Sequence, residues 1–324
     1  MKLYRSAFVL ASLLCGSVLQ AALPAGTSDT HPAKTADASA AFSKTTGHVL
    51  VLENGGTGSH SAIITEDAKL PGMTIYRPAD LSSFGKAHKL PVLLWANGAC
   101  SNGTFEHKNF LNEIASHGYI ILGIGPLSQV EQRDEISRQP TSSSELLAAL
   151  DWITAQNASQ SSDYFGKIET DKVAAMGMSC GGLQAIEISA DPRISTTVVC
   201  NSGVLPEPTT MKGMPQIGKD ILQKYHSPVI YIMGGPTDIA YKNAQDDFAK
   251  ITRVPAAMTN LDVGHGGTYS QPHGGEFTRV ALAWLDWQLK GSDEASQLFL
   301  DQNGGLSHDP KWTLSLKNFP AASR

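Results

Sequence analysis

VAAMGMSCGGLQA, residues 173–185, starts as an apolar run and ends as the opening of a helix. Between the two stands Ser179, boxed by Gly177 and Gly181. Five of the first six residues are apolar, as expected of a strand buried on both faces. A strand that turns into a helix within a few residues is a βα unit, so its neighbours should repeat the alternation.

They do. PVLLWANG (91–98) reads as a continuous apolar strand, followed by a helical stretch near Phe105–His117. YIILGIG (119–125) is the next strand, and SSSELLAALDWITAQNA (142–158) is an amphipathic helix with Ser142–Ser144 available as caps. After the opening stretch come the strands TTVVCNSG (196–203), PVIYIMGG (228–235) and MTNLDVG (258–264), then the helix GEFTRVALAWLDWQL (275–289). Apolar runs without alternation, separated by helices, predict a doubly wound α/β fold with parallel strands. Upstream, HVLVLEN, SAIITED and MTIYRPA are joined by links too short for helices, so this opening set is predicted antiparallel. The segment 204–227 reads as a small insertion, and the polar stretch 291–324, with DPKWTLSLKN, as a packed C-terminal extension.

The chain has 324 residues, 41% hydrophobic and 17% charged, which suits a globular protein. Residues 1–21 differ: Lys2 and Arg5 lead an apolar run from Ala7 to Leu19 that ends in small residues. That is the build of a secretory signal peptide, and the run is short for a membrane span. Residues 22–46 read as a mobile leader and 47–324 as a single domain. The protein is therefore expected to be secreted or periplasmic. Losing Lys2 and Arg5 takes the formal charge from -5 to -7, and no Lys/Arg-rich run occurs. Nucleic-acid partners and stable membrane insertion are not expected. Cys100, Cys180 and Cys200 stay after cleavage, enough for one disulfide and one free thiol. Without a C-x-x-C pair or an H-E-x-x-H helix, no metal or cofactor is expected.

G-x-S-x-G between a strand and a helix makes Ser179 a candidate nucleophile. On such sheets the partners follow in the order acid, then histidine, at the carboxyl ends of strands. Asp238, in the loop after PVIYIMGG, and His265, at the end of LDVGHGG, fit that order. Asp262 is a rival read as lying inside a strand, Asp246 and Asp247 lie on a helix, and His273 is the rival histidine. Asn97-Gly98-Ala99-Cys100 is a loop of small residues after a strand, so the N–H groups of Ala99 and Cys180 are candidates for an oxyanion hole.

LLWANGAC (93–100), GMSCGGLQA (177–185), GGPTDIAY (234–241) and GHGG (264–267) together resemble the α/β-hydrolase superfamily, near its dienelactone hydrolase, chlorophyllase and polyester-hydrolase branches. The resemblance runs from about His48 to Leu289. It implies an α/β-hydrolase fold: a mostly parallel central sheet with antiparallel N-terminal strands and helices on both faces. It also implies a Ser179–Asp238–His265 triad and a small-molecule ester substrate. The chain differs from dienelactone hydrolases in having serine for cysteine, and GMSCGG replaces the GWSMGG of polyester hydrolases. In that fold the loops of Cys100 and Cys180 touch, so a Cys100–Cys180 bridge is expected, with Cys180–Cys200 as the alternative. Amide or polymer-ester substrates, or a non-catalytic binding role, remain open at this stage.

Overall fold

In the computed structural model, residues 48–53, 55–131, 134–207 and 213–319 are described. The signal peptide and leader expected over 1–46 lie outside these residues, as does the middle of the 204–227 insertion. All described residues fall in one compact unit, Ala38–Arg324.

Ten strands form one sheet: β1 (Val49–Leu50), β2 (Ala62–Thr65), β3 (Met73–Pro78), β4 (Leu90–Ala96), β5 (Ile120–Ile124), β6 (Ile168–Met178), β7 (Ile194–Cys200), β8 (Val229–Met233), β9 (Ala256–Leu261) and β10 (Trp312–Lys317). Their spatial order is β1-β2-β3-β5-β4-β6-β7-β8-β9-β10. The first three strands are antiparallel to their neighbours, and β4 through β9 pair parallel. The chain is thus an α/β protein with the sheet plan expected from its sequence.

The apolar runs follow from cover on both faces. Along β4, Leu93 and Trp95 pack into one core while Val92, Leu94 and Ala96 pack into the other. Helix α1 (Lys108–Ser116) and, further along the chain, the long helix Gly275–Lys290 supply Phe110, Ile114, Phe277 and Trp284 to the first core. On the opposite face lie α2 (Ser144–Ala158), α3 (Cys180–Ile188) and α4 (Tyr241–Lys250), which bring Leu146, Ile153, Ile188 and Ala244. Burying a side chain such as Trp284 or Phe277 fully is worth about 2–3 kcal/mol each, so these two layers hold the strand ends in place.

Two local expectations need correction. Of the serines at 142–144, Ser142 accepts the first N–H of α2, that of Ser144, on its hydroxyl at 3.3 Å and donates its own N–H to Glu145 at 2.7 Å, but the Ser143 hydroxyl does not cap and donates instead to Glu187 at 2.5 Å. Asp262 is not inside a strand, because β9 ends at Leu261 and Asp262 is exposed. The extension after 291 holds a helix and a strand. Helix Asp293–Leu300 packs Phe299 against Trp284, and β10 pairs antiparallel with β9, Trp312 opposite Leu261.

Candidate active site

Ser179 stands between β6 and α3 with φ 55° and ψ -119°, a backbone that side-chain-bearing residues seldom adopt. The flanking glycines make this turn possible. A Cβ on Gly177 would lie 2.2 Å from the Gly181 oxygen, and one on Gly181 would lie 2.1 Å from the Ala96 oxygen. Chain and chain thus approach too closely for any side chain. The turn is tied down by the Ser179 N–H, which donates to Cys200 O at 2.9 Å, and by the Ser202 hydroxyl, which donates to Ser179 O at 2.6 Å.

Asp238 and His265 come from the loops after β8 and β9, and both loops are stitched together: the Gly264 N–H donates to Gly234 O at 2.8 Å. His265 Nε2 lies 3.0 Å from Ser179 Oγ, and its Nδ1 lies 2.7 Å from Asp238 Oδ1. Three residues separated by up to 86 positions are thus in one hydrogen-bonded line at the carboxyl ends of parallel strands. Because a carboxylate only accepts, the imidazole proton sits on Nδ1, leaving the Nε2 lone pair toward the serine.

The Asp238 side chain is fully buried. Burial pushes its carboxyl up, but donors from His265, Ala240 N, Asn201 Nδ2 and Gly234 N outweigh that and hold it below the usual carboxylate range. The three last-named bonds are 2.9, 2.8 and 3.1 Å long. The acid is therefore ionised where the histidine needs a partner.

The loop 97–101 leans on the serine turn. A Cβ on Gly98 would meet Met178 Sδ at 2.9 Å and Ser179 Cβ at 3.9 Å. Asn97 anchors the loop by donating to Ile124 O at 2.7 Å and Ser101 O at 3.0 Å. Ala99 and Cys100 both have positive φ, 56° and 48°. The Cys100–Cys180 disulfide joins this loop to the first residue of α3, and Cys200 is a buried free thiol. Of the two pairings the sequence left open, the chain makes Cys100–Cys180. On the far side of the loop, Thr141 donates to Cys100 O from both N–H and hydroxyl, at 3.1 and 3.0 Å.

The rival residues go elsewhere. His273 Nδ1 bonds Glu113 at 2.9 Å, and Asp247 accepts from Lys219, Val204 and Tyr231. Asp246 pairs with Lys219 and Lys250. Beside the triad lies a cavity of about 260 Å³ lined by Glu106, His107, Met178, Gly266, Tyr269 and Ser270. Met178 and Tyr269 thus reach the cleft. Trp95 does not: it is fully buried and stacks behind His107 and Tyr269. A wider hollow of about 820 Å³ between the β2–β3 loop and the end of α2 contains no triad residue, so size alone does not mark the chemistry. Among the described residues no His/Cys/Asp/Glu group fits a metal ion, and no helix is long and apolar enough to cross a membrane.

Asn201 and Tyr269 belong to this site and escape the sequence reading as such. The only signal was position: Asn201 directly follows an apolar strand, in the row of strand ends that carries Ser179, Asp238 and His265.

A model of the PETase family, described as PET hydrolase-like, matches residues 57–202. The matched stretch includes the 97–101 loop and Ser179 and stops before Asp238 and His265. No curated protein matches the chain.

Proposed function

We propose that this chain, an α/β protein whose residues 57–202 match the PET hydrolase-like family, is a secreted serine hydrolase cleaving carboxylic esters through Ser179, His265 and Asp238. The observation that carries the proposal is the unbroken line Ser179 Oγ–His265 Nε2 at 3.0 Å and His265 Nδ1–Asp238 Oδ1 at 2.7 Å, with the serine in its strained turn.

His265 Nε2 takes the Ser179 proton as Oγ bonds to the ester carbonyl carbon, whose π electrons move onto oxygen. The N–H groups of Ala99 and Cys180 receive that oxyanion, a contribution of about 3 kcal/mol for each donor. Asp238 keeps the imidazole in the needed tautomer and stabilises its cationic form. The oxyanion collapses, the carbon–oxygen bond of the alcohol breaks, and His265 hands its proton to the departing oxygen. Water then enters by the same route in reverse: it loses a proton to His265, attacks the acyl carbon and frees the acid and Ser179.

The matched family acts on a polyester, which favours a polymer ester as the substrate within this class. A disulfide at the site suits an oxidising compartment and supports export. The test is hydrolysis of a short nitrophenyl ester and of polyester film by mature protein and by Ser179→Ala, with labelling by a fluorophosphonate. Turnover and labelling that vanish in a folded Ser179→Ala support the reading. Equal turnover in both proteins, or none in either, refutes it and returns the chain to a binding role. Activity on the nitrophenyl ester without release of soluble diacid from film would restrict it to small esters.

A further inference from the structure

The three residues that follow β7 each hold a different part of the site. Cys200 O and the Ser202 hydroxyl clamp the Ser179 turn from both sides. Between them Asn201, fully buried and with φ 45°, turns its side chain toward the acid. Its Nδ2 donates to Asp238 Oδ2 at 2.8 Å and reaches Gly264 O, the residue before His265, at 3.4 Å. Its Oδ1 accepts from the Tyr269 hydroxyl at 2.5 Å.

An amide is the right group here only if it faces the right way. Rotated by half a turn, it would set Oδ1 against Asp238 Oδ2, two acceptors in contact. Asp238 Oδ2 and Gly264 O, both acceptors, hold the amide nitrogen on their side, and Tyr269 donates to the oxygen on the other. The Tyr269 ring is wedged between His107, Phe110 and Phe277, with centroids 5.1, 5.3 and 5.4 Å away, so the hydroxyl stays beside Asn201 Oδ1 and the Cys200 thiol. Burial drives the phenol far above its ordinary pKa, so it keeps its proton and can donate to the amide oxygen.

We propose that Asn201 is a positioning residue of the hydrolytic site, fixing Asp238 and the His265 loop, and that Tyr269 acts through it by holding the amide's carbonyl end. The left-handed backbone suits this residue type, since asparagine tolerates such φ better than most side chains. The inference rests on the triad reading above. Two backbone donors, Gly234 N and Ala240 N, also hold the carboxyl, so loss of Asn201 should cost less than loss of the acid itself. Misplacement of catalytic groups by a fraction of an ångström to an ångström costs up to about 100-fold, and kcat is expected to fall about 10- to 100-fold.

The experiment is a double-mutant cycle on nitrophenyl ester hydrolysis with Asn201→Gly, Tyr269→Phe and the pair, beside Ser179→Ala. Glycine keeps the left-handed backbone while removing the amide. Folding is followed by circular dichroism. The expected result is a fall in kcat at near-constant KM for both single variants, with the pair no worse than Asn201→Gly alone, because Tyr269 acts through Asn201. A folded Asn201→Gly with wild-type kcat overturns the proposal while an inactive Ser179→Ala leaves the triad standing. Fully additive losses overturn the part assigned to Tyr269. If Asn201→Gly does not fold, Tyr269→Phe decides: a folded protein with unchanged kcat overturns the proposal, and a kcat loss at constant KM supports it. An active Ser179→Ala removes the triad and this inference with it.

Discussion

Replacing Cys100 and Cys180 together by alanine should cost both stability and turnover. The bridge closes a span of 80 residues, from the end of β4 across β5, α2 and β6 to the start of α3. In the chain-entropy account a loop of that length corresponds to about 4.5 kcal/mol at 25 °C. At roughly 2.1 cal/mol/K per residue, a domain of about 270 residues has an unfolding entropy near 0.57 kcal/mol/K, so Tm should drop by about 8 °C. The bridge also holds Ala99 and Cys100 in left-handed backbone against the residue that follows Ser179. Thr141 and Asn97 still grip the loop, so kcat should fall by about tenfold and not by the full 100- to 1,000-fold of a lost oxyanion donor. Calorimetry and nitrophenyl ester kinetics measure the two effects, with thiol-reduced wild type as the control that keeps every sulfur atom in place. A Tm within about 2 °C of wild type together with unchanged kcat would refute the reasoning. A loss in the alanine variant that reduced wild type does not share would assign the effect to cavities instead of the bond.

Three further outcomes are expected. Asp238 has a folded-state pKa below its unfolded value, so its ionised form stabilises the fold above about pH 4 and that contribution disappears as pH falls through the folded value; urea unfolding should show wild type and Asp238→Asn converging below about pH 4, with kcat of the variant down by about 10⁴. Asp247 shows the opposite sign. Burial pushes its carboxyl up to about 6 against the pull of Lys219 and Val204, so stability should rise as pH falls from about 7 toward 4, and Asp247→Asn should lack that slope in the same titration. Gly181→Ala sets a Cβ 2.1 Å from Ala96 O and should cost at least about 3 kcal/mol or prevent folding, whereas Gly85→Ala, with open space around it, should unfold at the wild-type urea midpoint.

The parts legible in the sequence are those whose cause is local. Gly177 and Gly181 stand at fixed offsets from Ser179 because the turn itself excludes side chains, so the motif and its strand-to-helix setting can be read without the rest of the chain. Asp238 and His265 are legible because the fold admits few orders for strand ends and each follows an apolar run. β10 was not legible: Trp312, Leu314 and Leu316 do alternate, but their partners lie on β9, about 50 residues upstream, and no local signal records that pairing. The side of Trp95 is not legible because an apolar strand end near the cleft can face either side of the sheet, and only packing against His107 and Phe110 decides. Asn201 is silent in the sequence because its part depends on contacts with Asp238 and Tyr269, 37 and 68 positions away.

Four residues with side chains around the candidate site, Ala99, Cys100, Ser179 and Asn201, hold positive φ. Each such conformation costs of order 1 kcal/mol or more relative to a relaxed backbone, and the two packed layers must offset it. Selection of variants for heat resistance alone would therefore find some of its easiest gains here, where glycine relaxes the chain and the chemistry suffers. A thermostability screen of this protein run without an activity readout should drift toward well-folded, inert molecules.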